Sequence, residues 1–320
     1  MTQSLILIAA YLLDLLIGDP RWLPHPVVMM GACIKQLEKM VRRGATGERM
    51  LKVAGLLFPI CIAGGSGALV WLILLAAAWI HPWLEAGLEA VLISTTIATK
   101  GLADAGMEIY RHLQRGDLVE ARRSLSMVVG RDTEYLEKTE ISRGAVETVA
   151  ENIVDAIISP LFYAAIGGAP LAFVYRAANT LDSMVGYKNE HYQHLGWASA
   201  RFDDVLNYIP ARLTSLLLVA VSMGSNMDWR GCWRTIRRDA SLHPSPNSGI
   251  PEAGIAGALG IQLGGTNYYQ GIASHRAKMG EPTRPISPED IRRTVGVMKK
   301  VSVLSLLFFA VAVLLCNMWK

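Results

Sequence analysis

Two apolar runs in this sequence are too long for the interior of an ordinary soluble domain. Residues 54–80 contain no Asp, Glu, Lys or Arg over 27 positions, and residues 301–318 contain none over 18. A helix needs about 20 apolar residues to cross the hydrocarbon core of a bilayer. Since 52% of the 320 residues are hydrophobic and only 18% are charged, we expect an all-α, polytopic integral membrane protein.

Four weaker apolar segments bring the predicted number of membrane segments to five or six. They cover residues 2–18, 84–99, 153–175 and 203–223. Asp14 interrupts the first of them, and the third contains Pro160 and the sequence GGAP at 167–170, which predicts two half-helices. We expect a single membrane-embedded domain over residues 1–320.

The basic residues predict which loops face the cytoplasm, because Lys and Arg are retained on that side of the membrane. Residues 18–52 contain seven of them, residues 100–152 eight and residues 224–300 eleven, whereas residues 176–202 contain only three. The three rich loops are therefore predicted to be cytoplasmic, with a short amphipathic helix at residues 117–129 and a further helix that starts at residues 287–290. The side of residues 176–202 is left open.

Several common signals are absent from the sequence. It contains neither the GxxxxGK[ST] motif of a P-loop nor a GxGxxG motif. The basic residues follow the predicted membrane edges instead of forming a stripe with aromatic residues, which argues against nucleic-acid binding. Four cysteines without CxxC spacing predict neither a disulfide framework nor a zinc site.

An acidic stripe lies on a helix that is predicted to begin after Asp132 and Thr133 and to run through residues 144–158 into the membrane. Glu147, Glu151 and Asp155 recur every fourth residue and therefore share one helix face. An Asp near the centre of a membrane helix costs about 2.5–3.5 kcal/mol, so a compensating partner is expected. Carboxylates that bind Mg²⁺ would explain the stripe. The alternative is a solvated helix face outside the bilayer.

A second cluster combines acids and cations over residues 176–212. Metal-binding acids and phosphate-binding cations in one segment suit an anionic substrate that is held through a metal ion. Surface salt bridges are the alternative. The acids are Asp182, Asp203 and Asp204, and the cations are Arg176, Lys188, Arg201 and Arg212.

Two rigid loops each contain a His-Pro pair. In HPSPNSGIPEAG, residues 243–254, three prolines stiffen a loop that opens a helix predicted over residues 251–265. The loop is predicted to present His243, Ser245, Asn247, Ser248 and Glu252. This loop is predicted to bind an anion, with a purely structural loop as the alternative. In GDPRWLPHPVVMMG, Asp19 and His25 are candidates, although a lone His beside Pro is more often structural.

Four motifs in order resemble the CobD/CbiB family of cobalamin biosynthesis, from about residue 10 to residue 271. They are DPRWLPHPVVMMG, GAVETVAENIVDAIISPLF, RAANTLDSMVGYKNEHY with ARFDDVLNYIPARLT, and HPSPNSGIPEAGIAGALGIQLGG. The resemblance implies an adenosylcobinamide-phosphate synthase of the bacterial inner membrane. Such an enzyme would join adenosylcobyric acid to an amino-alcohol phosphate, such as (R)-1-amino-2-propanol O-2-phosphate, in an ATP-dependent amide synthesis. The implied partners are these substrates and the lipid bilayer. Other corrinoid-assembly enzymes at the membrane are further candidate partners.

This chemistry suggests roles for the candidate residues. A carboxylate needs activation before it forms an amide, most simply as an acyl phosphate made from ATP with Mg²⁺. His243 or His25 would accept the proton of the attacking amine, and Glu151 is a further catalytic candidate. The predicted metal ligands are Glu147, Glu151, Asp155, Asp182, Asp203 and Asp204. The predicted substrate- and phosphate-binding residues are Arg176, Lys188, Arg201, Arg212, Asn247, Ser248 and Asp19.

Two other function classes fit parts of the sequence. A membrane-embedded phosphotransferase or prenyltransferase would also use aspartate-rich helices and Mg²⁺, but it would consume a CDP-alcohol or a polyprenyl diphosphate. A small-solute transporter would use broken helices such as residues 153–175. Transport would leave the polar loop at residues 243–252 without a role.

The distribution of basic residues predicts which side of the membrane the loop at residues 243–252 faces. In a variant without native cysteines, a cysteine at Ser245 is expected to react with a membrane-impermeant maleimide from the cytoplasmic side only. Reaction from the outside would contradict the predicted topology. Parallel labelling at Ser183 assigns the side of residues 176–202.

Overall fold

The chain folds into thirteen helices and one β-hairpin in the computed structural model, which describes residues 2–18 and 25–318. The first eight helices are α1 Gln3–Ile17, α2 Pro26–Gly44, α3 Glu48–Ala54, α4 Gly65–Ile80, α5 Pro82–Ser94, α6 Thr99–Gln114, α7 Leu118–Ser126 and α8 Lys138–Ile153. The remaining elements are α9 Ser159–Val185, α10 Trp197–Gly224, α11 Trp229–Asp239, α12 Gly249–Leu259, β1 Leu263–Tyr269, β2 Ile272–Met279 and α13 Pro288–Met318. Short π-helical segments, Pro59–Gly64 and Val154–Ile158, precede α4 and α9.

Four helical stretches are long and apolar enough to cross a membrane: Glu48–Ile80, Lys138–Val185, Trp197–Gly224 and Pro288–Met318. Large apolar side chains remain exposed along them, including Trp71 at 56% and Phe308 at 50%. Exposed apolar surface of this extent is expected where lipid replaces water. Since 76% of the chain is helical, the prediction of an all-α, polytopic membrane protein is confirmed.

The two remaining predicted membrane segments form shorter helices. The segment at residues 2–18 forms α1, an apolar helix of 15 residues. The segment at residues 84–99 forms α5, which has 13 residues, begins at Pro82 behind the N-cap His81 and ends before Thr95. At 1.5 Å per residue α5 is about 20 Å long, which is shorter than the hydrocarbon core.

The chain divides into two compact units. The first consists of Met1–Ala98, Ser159–Asn207 and Leu306–Lys320, and the second of Thr99–Ile158 and Tyr208–Ser305. The expectation of a single membrane-embedded domain over residues 1–320 stays a prediction.

In the first unit, α9 is broken where the GGAP sequence predicts. Gly167 has φ −144° and ψ 28°, and Gly168 has φ 64° and ψ −158°. The break frees backbone groups that an unbroken helix would pair. The Glu89 carboxylate accepts a hydrogen bond from Ala169 N at 3.3 Å, and Gln3 Nε2 donates to the Ala164 carbonyl at 3.2 Å. The two half-helices predicted here are therefore confirmed.

In the second unit, the predicted helical patterns are found with small changes in their bounds. The amphipathic segment at 117–129 forms α7, which Asp117 caps. The helix expected after Asp132 and Thr133 begins at Lys138. The helix expected from Ser287 onward begins at Pro288, and Asp290 accepts from the Ser287 backbone N–H at 2.8 Å.

The hairpin of β1 and β2 replaces part of a predicted helix. The helix predicted over residues 251–265 ends at Leu259, because Gly260 adopts a left-handed conformation with φ 64°. The hairpin turn consists of Gln270 and Gly271, which both have positive φ, as a tight two-residue turn requires. Asp132 accepts hydrogen bonds from both of their backbone N–H groups, at 3.0 and 2.8 Å. The loop before α8 thus anchors the turn.

The break in α9 predicts different consequences for two Gly→Ala substitutions in the same unit. A Cβ at Gly168 would lie 2.2 Å from Glu89 Oε1, and its φ of +64° strains any L-residue. Gly168→Ala is therefore expected to lower the free energy of unfolding by about 1–3 kcal/mol. Gly65 has a helical φ of −62°, and a Cβ added there would meet nothing within 4 Å, so Gly65→Ala should cost nothing. Thermal unfolding in detergent measures both; equal transitions would contradict the role of Gly168.

Candidate functional site

The Glu147 carboxylate is at the centre of a buried polar network in the second unit. It is 1% exposed, and it pairs with Arg131 Nη2 at 2.6 Å and with Arg143 Nη1 at 3.1 Å. Its Oε1 also accepts the Gly264 backbone N–H at 2.8 Å. Asn267 Oδ1 accepts from both arginines, at 2.8 and 3.1 Å. The network therefore joins α8, the loop before it and β1.

Gly264 allows this contact because of an irregularity in the hairpin. The register shifts between Leu263 and Gly265, which is the signature of a β-bulge. Gly264 has φ +85°, and a Cβ there would lie 2.2 Å from the Ala277 carbonyl oxygen. Only glycine fits, and the bulge directs its N–H to Glu147.

A second buried cluster consists of His243, Glu252 and Arg276. Glu252 on α12 is 1% exposed. His243 Nε2 lies 3.5 Å from Glu252 Oε1, and Arg276 Nη1 lies 4.0 Å from the same oxygen. Neither carboxyl oxygen of Glu252 has a hydrogen-bond partner among the described residues. A buried carboxyl group in this condition is costly unless it is protonated or meets a ligand.

Burial shifts the ionisation of this cluster toward neutral forms. Burial raises the pKa of Glu252 well above its ordinary value, and the nearby carboxylates of Glu151 and Glu147 raise it further. Burial also lowers the pKa of His243, although the Glu151 carboxylate opposes this effect. The Ser245 backbone N–H donates to His243 Nδ1 at 3.0 Å. Burial therefore favours the neutral forms of both the His243 imidazole and the Glu252 carboxyl group.

The three acids of the predicted stripe differ in their surroundings. Glu147 is fully engaged by the network, whereas Glu151 is half-buried and acts electrostatically on His243 and Glu252. Asp155 is half-buried in the π-helical segment Val154–Ile158. Of the stripe, Glu151 has the larger electrostatic effect on His243 and Glu252, and Glu147 the smaller one.

The stiff loop at residues 243–252 is held from α10. The Arg212 guanidinium lies over the Tyr208 ring at 3.7 Å and donates to Asn247 Oδ1 at 2.6 Å and to the Pro246 carbonyl at 3.3 Å. Asn247 is only 3% exposed, and Ser248 is half-buried at the N-cap of α12. These contacts favour a role for Asn247 in holding the loop.

In the first unit, the predicted acids surround a buried hydrogen-bond chain. Asn207 Nδ2 donates to Asp203 Oδ2 at 2.9 Å. Asn207 Oδ1 accepts from the Ser159 hydroxyl at 2.6 Å and the Tyr175 hydroxyl at 2.9 Å. Asp182 is an electrostatic neighbour of Asp203, so these two acids are brought together. Asp204 instead pairs with Arg201, and its Oδ2 lies 3.5 Å from Arg201 Nη1.

The predicted phosphate-binding cations of this unit and His25 differ in their exposure and contacts. Arg176 is half-buried on α9, whereas Lys188 and Arg201 are exposed. His25 Nδ1 accepts the Val27 backbone N–H at 3.3 Å and caps α2. Its catalytic assignment stays a prediction beside this structural role. Asp19 lies outside the described residues.

The six predicted metal ligands are distributed over both units. Glu147, Glu151 and Asp155 belong to the second unit, and Asp182, Asp203 and Asp204 belong to the first. Within residues 2–18 and 25–318, no group of three or more His, Cys, Asp or Glu side chains is arranged to hold a metal ion. The ligand assignments therefore stay predictions.

No sequence pattern assigns a role to Arg131, Asn267 or Arg276, which complete the two clusters. The sequence predicts Glu252 only as one of the side chains that the loop presents. The hairpin that positions Asn267 and Arg276 has a signal in the sequence: Tyr268 and Tyr269 precede Gln270-Gly271, a turn between β-compatible residues. The pairing of Arg131 with Glu147, 16 positions apart, has no such signal.

Comparisons with known proteins agree with these motifs. Residues 7–298 match the family described as "CobD/Cbib protein". "Cobalamin biosynthesis protein CobD" of Geobacter metallireducens is 50% identical over 96% of this chain and 95% of its own length. The protein of the same name from Halalkalibacterium halodurans is 47% identical over 95% and 94%. "Cobalamin biosynthesis protein CbiB" of Salmonella paratyphi B is 46% identical over 95% of each chain. No solved structure matches. A match of this extent places the chain in the CobD/CbiB family.

Proposed function

We propose that the protein acts in cobalamin biosynthesis as an adenosylcobinamide-phosphate synthase. It would join the propionate carboxyl group of adenosylcobyric acid to the amine of an amino-alcohol phosphate, such as (R)-1-amino-2-propanol O-2-phosphate, in a bacterial inner membrane. The names of its relatives support the pathway. They are also the reason for preferring this reaction to lipid-linked phosphotransfer or transport.

The observation that carries the proposal is the buried His243–Glu252–Arg276 cluster. Amide synthesis needs a neutral base that accepts the proton of the attacking amine. His243 has a lowered pKa and remains neutral near pH 7. The adjacent Glu151 carboxylate would stabilise the imidazolium that forms, and Arg276 provides a positive charge for an anionic substrate group.

The proposed reaction has two steps. A carboxylate oxygen of the corrinoid acid attacks the γ-phosphorus of ATP, and ADP leaves as the acyl phosphate forms. The amine nitrogen then attacks the acyl carbon, a C–N bond forms, and inorganic phosphate leaves. His243 takes the amine proton in this second step.

Mg²⁺ would be held with ATP by the acids of the first unit. In phosphoryl-transfer sites Mg²⁺ usually binds one or two carboxylates, and substrate phosphates complete its coordination. The neighbouring carboxylates Asp182 and Asp203 fit this pattern, with Asp204 as a further candidate. When bound, the ion would neutralise charge on the transferring phosphoryl group. Glu147 fits poorly as a ligand because Arg131, Arg143 and Gly264 already engage it.

A large cleft in the second unit suits the corrinoid acid. Its volume is about 1160 Å³, and its lining includes Arg122, Arg131, Tyr135 and Tyr268. Tyr135 and Tyr268 are exposed and offer flat apolar faces to a macrocycle. Arg131 belongs both to the cleft and to the Glu147 network, so the cleft adjoins that network.

An assay with purified components tests the reaction and the site together. The protein in detergent, supplied with Mg²⁺-ATP and both substrates, is expected to form the amide with one ADP and one phosphate for each product. Alanine at Glu151, Asp155 or Asp182 is expected to abolish product while circular dichroism stays unchanged. Asp104→Ala is the control, because Asp104 is 65% exposed and, among the described residues, forms an ion pair only with Lys100.

The outcomes separate the two parts of this proposal. Wild-type turnover in the three alanine variants would remove the site assignment and leave the reaction standing. Failure of the folded wild-type protein to make the amide under these conditions would contradict the reaction itself.

The raised pKa of Glu252 predicts a pH dependence of stability. The folded protein holds this proton more tightly than the unfolded chain, so the free energy of unfolding falls as pH rises from the ordinary carboxyl range through the folded pKa. The charged and titratable groups that face Glu252 are Glu151, Glu147, His243, Arg276 and Arg131. Glu252→Gln stays neutral and should lack this fall. Thermal unfolding across pH 4.5 to 8, roughly the range that brackets a raised carboxyl pKa, measures it.

Glu134→Gln is the matched control, since Glu134 is exposed in the same unit. It should keep the wild-type pH dependence. A Glu252→Gln protein whose stability still falls with pH as the wild type does would show that Glu252 is ionised in the fold.

A further inference from the structure

A cavity of about 540 Å³ lies in the second unit, and its lining includes none of the residues assigned to the proposed reaction. Its volume is within the range of roughly 300–1,000 Å³ that small-molecule sites occupy. It is lined by Ser225–Asp228, by Ala258 and Leu259, and by the α13 residues Arg292, Arg293, Gly296, Val297 and Lys300. On α13, Arg292, Gly296 and Lys300 are spaced by four and share one face.

The lining is strongly cationic. Three of its residues are basic, and Asp228 is the single acidic one among the described lining residues. The Asp228 carboxylate caps α11 by accepting the Gly231 N–H at 2.8 Å. Glu289 compensates Arg292, whose Nε lies 2.7 Å from Glu289 Oε1. Arg293 and Lys300 therefore supply the excess positive charge.

These two cations are available to an anion. Lys300 Nζ donates to the Ser225 hydroxyl at 2.8 Å, a contact that orients the ammonium group without neutralising it. Arg293 is exposed and belongs to no ion pair with an N–O distance within 4.0 Å among the described residues. A guanidinium, an ammonium and a hydroxyl group around one cavity match the acceptor oxygens of a phosphate group.

The cavity lies where two apolar helical stretches meet polar sequence. Ser225 directly follows the end of α10, and Lys300, inside α13, directly precedes the uncharged run at residues 301–318. The boundary between an apolar run and basic residues is expected near the membrane surface, where both soluble phosphate esters and lipid headgroups are accessible. We propose that this cavity binds the phosphate group of a small phosphorylated ligand, either a soluble ester or a lipid headgroup.

Two variants of different kinds test the site. The double variant Arg293→Gln and Lys300→Gln removes the excess charge. Gly296→Leu fills the cavity without changing charge, and a Cβ at Gly296 meets nothing within 4 Å, so this variant is expected to fold even if the first does not. Lys299→Gln is the matched control, because Lys299 is exposed on the same helix but does not line the cavity.

Two measurements on the full chain distinguish the sources of the phosphate. Calorimetry in phosphatidylcholine nanodiscs measures the Kd for pyrophosphate, and native mass spectrometry measures phosphatidylglycerol retained from mixed nanodiscs. Loss of at least about tenfold in pyrophosphate affinity in the folded test variants, but not in Lys299→Gln, supports a soluble ligand. Selective loss of retained phosphatidylglycerol supports a lipid headgroup. If the folded test variants match Lys299→Gln in both measurements, the proposal is overturned. Neither measurement depends on amide synthesis, so the proposed function is tested separately.

Discussion

The organisation of the second unit depends on one buried carboxylate. Glu147 is almost fully removed from solvent, and it is compensated by the guanidinium groups of Arg131 and Arg143 and by the N–H of Gly264. Removing one partner of such a buried pair typically costs about 3–5 kcal/mol, because the remaining charge is left uncompensated. These contacts hold the loop before α8, the helix itself and the hairpin in one register. The position of Arg276 on β2 follows from that register.

The second consequence is electrostatic. Glu147 and Glu151 add negative potential to a buried region that already disfavours ionised carboxyl groups, so Glu252 is held toward its neutral form. The same burial keeps His243 toward its neutral form. Clusters in which environment shifts the pKa values of neighbouring groups are typical of functional sites. Glu147 thus has a structural role, and His243 is the candidate for a chemical role. The sequence alone does not distinguish the two, because both are polar residues near apolar helices.

Local patterns predicted the helices well and the hairpin poorly. The GGAP break, the N-cap of α7 and the start of α13 follow from glycine, proline and capping residues within a few positions of each other. The apolar, small-residue run from Ala253 onward also looks helical, and its end at Gly260 is decided by a left-handed residue and by the pairing of β1 with β2. That pairing is stabilised by Asp132, more than 130 positions away. No local pattern contains this contact.

The membrane class, the helical composition, the break in α9 and the family can be predicted from the chain alone, because each depends on the length, order or local chemistry of consecutive residues. The same patterns single out His243, Glu151 and Asp182 as candidate site residues. Folding is what pairs Glu147 with two arginines, holds the loop of Asn247 through Arg212, and brings Arg276 and Glu252 to His243. The physical reason is that charge compensation is set by distances of 3 to 4 Å in space, and residues distant along the chain supply the compensating groups.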